Sequence, residues 1–258
     1  MNKIFTRRKL LTTGLTAAAG ASSLGVSAVL AKRYGLIPPD PGGIYGVGET
    51  LTYASQRVLM SRLFMSRPPL AREFDRSQIS KVFPVNGDPP SDETYQQLLA
   101  GNFRDWRLTI DGLVARPSSF SLDDLKSYPA RTQVTLQACE EGWSFIAEST
   151  GVPLSYVLNL VGVSPRAKYV AFFPFDDSWD SLDMPDAWHP QTLLAYTMNG
   201  RELPTAHGAP LRLRVPRQLG YKSVKYLSSI TVTDTLKDIG KGLGSISPEI
   251  GYSWYAGI

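Results

Sequence analysis

From about residue 86 onward, apolar and polar positions alternate with the period of two expected of half-buried strands. In DWRLTIDGLVARP, Trp106, Leu108 and Ile110 share one face, and the Asp111-Gly112 pair after them predicts a two-residue hairpin turn. In TQVTLQAC, Val134, Leu136 and Ala138 face one way while Gln133, Thr135, Gln137 and Cys139 face the other. AKYVAFF has the unbroken apolar character of a buried strand. APLRLRVP sets Leu211, Leu213 and Val215 against Arg212 and Arg214, and KSVKYLSSITVTD supplies the last strands.

Helical signals interrupt this pattern. SLDDLKSYP predicts a short helix with Ser121 as N-cap, Asp124 three residues on, and Pro129 as its stop. GVPLSYVLNLVGV predicts another, opened by Pro153, with Leu154, Val157, Leu158 and Val161 on one side and Gly162 as C-cap. HPQTLLAYTMNGRELP reads as a short helix and an Asn-Gly turn, and FDDSWDSLDMPDAW as a solvated loop holding Asp176, Asp177, Asp180, Asp183 and Asp186. Upstream, residues 32–85 read as a peripheral wrap: a Pro- and Gly-rich loop, then one amphipathic helix through ETLTYASQRVLMSRLFM. The whole predicts an α+β domain with mixed sheets over residues 86–235, followed by a Gly-rich tail over 236–258.

Composition changes this picture little. Apolar residues make up 43% of the chain, which suits a globular protein, and a net charge of +4 is too mild to argue for nucleic acid. The aromatics are not interleaved with basic residues as a stacking platform would need. The N-terminus matters more. Arg7-Arg8 precedes an uncharged, weakly hydrophobic run from Leu10 to Ala31, which resembles a twin-arginine export signal over residues 1–31, and AVLA offers a cleavage site. The competing reading is an uncleaved membrane anchor. Export implies a periplasmic protein, carried folded and often with its cofactor already inserted.

Cys139 is the single cysteine, so it makes no internal disulfide. Its place on the polar side of a strand end speaks against a merely structural thiol. It reads as a soft ligand to a redox metal whose other ligands come from a cofactor. A nucleophile with His189 or His207 as base stays open, while zinc is weaker for want of ligand pairs. Residues 203–233 hold Arg212, Arg214, Arg217, Lys222 and Lys225 with no acid among them. That stretch reads as an anion cradle, with Gly208 and Gly220 allowing close backbone approach, against a solvated basic strand edge as the alternative. The aspartate-rich loop lacks the spacing of a calcium site.

LQACEEGWSFIAESTGVPLSYVLNLVG, AKYVAFF and HPQTLLAYTMNGRELPTAHGAPLRLRVPRQLGYKSVKYLSSI, in that order, resemble the sulfite oxidase-like molybdopterin oxidoreductases, within about residues 80–235. The likeness is greatest to the bacterial branch containing periplasmic methionine sulfoxide reductase. It implies that Cys139 binds molybdenum beside a molybdopterin, and that Asn86, His207, Arg212, Ser223, Val224 and Lys225 contact that cofactor. Pro174 stands where the reductase branch has a cofactor-contacting Thr. The resemblance implies a mixed-sheet fold, here expected without the immunoglobulin-like dimerisation domain of sulfite oxidases, and a monomeric catalytic subunit. It also implies oxygen-atom transfer on a small or protein-bound oxo substrate. The chain has no C-x-x-C-H haem attachment, so a separate membrane haem or quinone-linked partner is expected. Glu140 and Glu141 after the cysteine are a poor surround for an anion such as sulfite. A sulfite-type dehydrogenase and a non-catalytic exported binding module are the alternatives.

Overall fold

The structure is a computed structural model that describes residues 31, 35–41, 46–59 and 68–258. It divides into two compact units, Met1–Ser66 and Arg67–Ile258. The export segment expected over residues 1–31 lies outside the described residues except for Ala31. In the first unit the expected amphipathic helix is present as α1, Gly46–Leu59, and its expected continuation lies outside the described residues.

The second unit carries two five-stranded sheets. The first has the order β2-β1-β10-β5-β6, from Ser118–Ser121, Arg107–Gly112, Leu227–Thr233, Tyr169–Pro174 and Asp180–Asp183. In it β1 and β10 run parallel and the other neighbours antiparallel, which makes the sheet mixed. The second sheet runs β3-β4-β7-β8, from Arg131–Ala138, Ser144–Pro153, Leu193–Met198 and Arg201–Glu202. Its fifth strand, β9 (Arg212–Arg214), pairs with β7. The helices are α2 Glu93–Ala100, α3 Leu122–Ser127, α4 Leu154–Val161, α5 Met184–Ala187 and α6 Ile246–Glu249.

The core joins the faces that the alternation marked. Leu108 and Ile110 of β1, Phe172 of β5 and Ile230 of β10 pack in one cluster with Val152, Leu194 and Leu213 of the second sheet. The four buried residues of α4, Leu154, Val157, Leu158 and Val161, complete it, between Pro153 as N-cap and Gly162 as a left-handed C-cap. Trp106 is fully buried, and its indole N–H donates to the Leu227 carbonyl at 3.0 Å, so its one polar atom is satisfied. Helix α3 opens with the expected capping box: Ser121 Oγ accepts from the Asp124 N–H at 3.0 Å, and Asp124 accepts from the Ser121 N–H at 2.8 Å.

Several expectations give way to tertiary packing. Strand β1 continues through Gly112, and residues 113–117 make the connection to β2, so there is no two-residue turn. Gly112 has φ +84°, and a Cβ there would lie 2.1 Å from the Val232 carbonyl oxygen; the glycine serves close approach to β10. The helix expected in HPQTLLAY is strand β7. It is buried on both faces, so its apolar run carries no period that separates strand from helix. The Asn199-Gly200 turn does form, with φ of 51° and 73°. The aspartate-rich segment is a loop only at its start, through Asp176 and the exposed Asp177; Asp180 to Asp183 is buried strand β6, and Asp183 caps α5 by accepting from the Asp186 N–H at 3.2 Å.

Within the second unit, the segment ahead of residue 85 is also tied to the sheets. The Phe74 N–H donates to Val134 at 2.9 Å, and the Ser80 N–H to Ile146 at 3.0 Å. The tail is equally bound in: the Leu219 N–H donates to Ala256 at 2.9 Å and the Ile258 N–H to Arg217 at 3.0 Å.

His189 is enclosed. Its Nδ1 accepts from the Gln191 N–H at 3.2 Å, so its Nε2 carries the hydrogen and donates to the Pro69 carbonyl at 3.1 Å. Burial and the charge of Arg217 lower its pKa from 6.5 to about 4. The unfolded chain therefore takes up this proton at higher pH than the folded one. The stability that the neutral ring contributes is complete above about pH 6.5 and lost as pH falls toward 4. Urea midpoints of the native protein should drop between pH 7 and pH 5, and His189→Gln should flatten that drop. An unchanged slope in the variant would remove His189 from the account.

Candidate active site

A cavity of about 290 Å³ lies at the end of β3. Cys139, the first residue past that strand, lines it together with Asn86, His207, Arg212, Ser223, Val224 and Lys225. The structure thus brings together all seven residues that the sequence singled out. Pro174 is not among the lining residues; it closes β5 opposite Leu227.

The polar face of β3 explains the position of the thiol. Gln133, Thr135 and Gln137 are buried, not solvated, so the face that looked outward in sequence is an interior polar layer. The turn after the strand is tied by the Cys139 N–H to the Trp143 carbonyl at 2.8 Å and the Gly142 N–H to the Cys139 carbonyl at 3.1 Å. Cys139 Sγ donates to Glu140 Oε2 at 3.3 Å. Burial, with the neighbouring Glu140 carboxylate adding to it, pushes the thiol up to about 11, so it is held as S–H in this form. The two acids divide their roles: Glu140 lines the cavity against the thiol, while Glu141 turns away and accepts from the Trp143 indole at 3.0 Å.

Only two of the five cations in residues 203–233 line the cavity. Arg212 donates to the carbonyls of His207 at 3.0 Å and Ser223 at 2.9 Å, and its buried Nε has no partner. Lys225 Nζ donates to the Asn86 carbonyl at 2.8 Å and the Ala206 carbonyl at 3.2 Å. Burial and the charge of Arg212 lower it to about 8. The other three are used elsewhere. Lys222 is buried in an ion pair with Asp180 and lies 4.9 Å from the Trp254 ring centroid. Arg217 approaches Asp186 at 3.5 Å, and Arg214 donates to the Leu136 carbonyl at 2.6 Å. The counter-charges missing from the local sequence come from the aspartate-rich segment, 31 and 42 residues away.

The glycines also part ways. Gly220 lines the cavity, where a Cβ would come within 3.2 Å of the Ala138 carbonyl oxygen. Gly208 instead makes room for Lys225: with φ +106°, its added Cβ would meet the lysine Cβ at 2.8 Å. It serves the placement of a cation, not the approach of an anion. His207 is neutral at ordinary pH, lowered to about 4 by burial and the nearby Arg212 charge. Its ring meets Phe145 and Phe83 at near-perpendicular angles. His189 lies outside the cavity with both nitrogens engaged, so it is no base for Cys139.

Sequence reasoning missed several walls of the site. Trp143, Trp179 and Tyr221 line it, as do Ile246 and Ser247 from the tail. The tail is held there by the Ile246 N–H donating to the Trp179 carbonyl at 3.0 Å and the Tyr221 hydroxyl donating to the Ser253 carbonyl at 2.7 Å. Nothing local in the tail signals this. Its aromatic ending was the one available hint.

Cys139 at the end of β3 and the cations Arg212 and Lys225 thus line one cavity of a mixed-sheet α+β unit. Residues 96–239 match the family described as oxidoreductase molybdopterin binding domain, and the chain belongs to it. It is therefore an enzyme, a molybdopterin-dependent oxidoreductase, and not a non-catalytic binding module. A protein of Azospira oryzae, provisionally named protein-methionine-sulfoxide reductase subunit YedZ1, is 39% identical over 188 residues, covering 73% of this chain and 68% of that protein. The protein-methionine-sulfoxide reductase catalytic subunit MsrP of Xanthomonas campestris is 37% identical over 149 residues, covering 52% of this chain and 46% of that protein. The chain thus spans about half the length of that relative. The sulfane dehydrogenase SoxCD of Paracoccus pantotrophus is 30% identical, with a TM-score of 0.49 over 51% of this chain and 39% of that one.

The buried pair of Asp180 and Lys222 offers a direct check on this architecture. Asp180→Ala leaves an uncompensated ammonium in the interior and should cost about 3–5 kcal/mol in urea unfolding. Combining it with Lys222→Met should restore much of that loss. A single variant within about 0.5 kcal/mol of the native protein would show the pair to be dispensable.

Proposed function

We propose that this enzyme holds molybdenum on a molybdopterin, with Cys139 as the one protein ligand, and reduces a sulfoxide or similar oxo compound outside the cytoplasm. The observation that carries the reading is the gathering of Cys139 and the six other cofactor candidates around one cavity. The residues fit the group. Among the described residues no three His, Cys, Asp or Glu side chains are placed to hold a metal, so a metal at Cys139 needs further ligands that a pterin dithiolene has. The unpartnered Arg212 Nε and the Lys225 ammonium suit the pterin phosphate. Asn86, Ser223 and Val224 lie close enough to that lysine and arginine to share in the contact.

When bound, the cofactor supplies the two-electron couple for oxygen-atom transfer. The sulfoxide S–O bond breaks, the sulfur gains two electrons, and the oxygen leaves as water with two protons. The protein's own part is positioning and charge. Cys139 gives up its thiol proton on ligation, and Glu140 Oε2, which accepts that hydrogen here, stands at the wall. Glu140 and Asp176 line the cavity, which suits a neutral sulfoxide better than sulfite and ranks the dehydrogenase reading second. The relatives named as methionine sulfoxide reductases support the same direction. Arg7-Arg8 and the run after them support export by the twin-arginine route to the periplasm, and electrons then come from a membrane haem or quinone-linked partner.

Protein made in molybdate-replete cells should contain close to one molybdenum per chain, and Cys139→Ser should contain almost none. Equal metal in both would sink the ligand assignment. Arg212→Ala should lose pterin while keeping the circular dichroism of the native fold; full occupancy in that variant refutes the phosphate contact. With reduced viologen as donor, at least one member of a sulfoxide panel should be turned over. Oxidation of sulfite without any sulfoxide reduction would reverse the assignment.

A further inference from the structure

Behind the large cavity, and sharing Gln137 and Arg212 with it, lies a second cavity of about 10 Å³, room for a single small guest. Its polar lining is Gln137, Ser149, Arg212 and Arg214, and Phe145 and Met198 are among the apolar side chains that face them. We propose that this cavity is a binding site for one small monovalent anion of chloride or bromide size, held between the guanidiniums of Arg212 and Arg214.

The argument starts from charge. Arg212 and Arg214 are 6% and 3% exposed. Their hydrogen-bond partners among the described residues are all neutral: the carbonyls of His207 and Ser223 for Arg212, and the Leu136 carbonyl with the Thr135 and Ser223 hydroxyls for Arg214. No carboxylate among the described residues pairs with either, whereas Lys222 and Arg217 on the same stretch each have one. Burial lowers both guanidiniums, to about 10 and about 9, and the charge of Arg212 adds to the effect at Arg214. Both remain cations at neutral pH. Two like charges buried without a counter-ion are strongly unfavourable, and carbonyl and hydroxyl contacts solvate them without neutralising them.

The cofactor phosphate does not resolve this. Arg212 lines the large cavity but Arg214 does not, so Arg214 stays uncompensated even with the larger site filled. Of the two cavities, the second is the one that both arginines line. A water molecule there fills the volume and carries no charge. A halide does both, and the Gln137 amide and Ser149 hydroxyl add donors suited to it. The apolar wall and the volume disfavour sulfate, phosphate and carboxylates. The site stands on the geometry of the protein alone and does not depend on the cofactor reading. When filled, it sets the charge at the back of Arg212.

The full chain, with and without its cofactor, is moved into gluconate at fixed ionic strength and titrated with chloride or bromide. Its thermal midpoint should rise saturably, by roughly 5–10 °C once the halide exceeds its dissociation constant a hundredfold. Arg214→Met should abolish that rise. Because this variant removes a buried hydrogen-bonding group, the decision rests on the native protein: crystals soaked in bromide should show an anomalous peak in contact with both guanidiniums. A water refined at that place with no anomalous signal overturns the proposal, whatever the midpoints do. Loss of cofactor with the bromide peak retained would count against the pterin reading and leave the anion site standing.

Discussion

The buried ion pair between Lys222 and Asp180 is what the surroundings of the cavity depend on. Lys222 sits in the turn at Gly220–Lys222, and Asp180 begins the edge strand β6 of the mixed sheet. The same ammonium lies over Trp254, whose indole N–H donates to Ser181 Oγ at 2.9 Å. One contact therefore joins a sheet edge, the tail and the turn that leads into Ser223, Val224 and Lys225. Either charge left alone there is costly, so the pair favours bringing the three segments together.

That constraint separates structural from functional charge. Arg217 and Lys222 are spent on Asp186 and Asp180, which leaves Arg212 and Lys225 to face the cavity with neutral partners. Their carbonyl contacts fix position without cancelling charge, which is what a site for an anionic ligand requires. In the same cavity, burial, with the Glu140 carboxylate adding to it, keeps the Cys139 thiol protonated. The site thus combines cations whose hydrogen-bond partners are neutral with a carboxylate against the sulfur.

The family match ends at residue 239, yet the cavity does not. Asn86 before the matched region and Ile246 and Ser247 after it contribute to the walls. The matched strands and turns supply the thiol and the cations. The flanking segments contribute walls to the space around them.

Local rules were enough for much of this protein. Alternation placed Leu108 and Ile110 on β1 and Cys139 just past the end of β3, local signals placed the caps at Ser121 and Gly162, and the lone thiol pointed to a residue of the cavity wall. Each of these depends on residues within a few positions of one another, which is why the sequence by itself determined them. Tertiary structure alone decided that the polar face of β3 is buried, that Asp180 and Asp183 belong to a buried strand that caps α5, and that β7 is not a helix. It also decided which cations stay free. Those outcomes turn on partners 31 to 79 residues away, and on burial from both sides, neither of which leaves a mark in the local spacing.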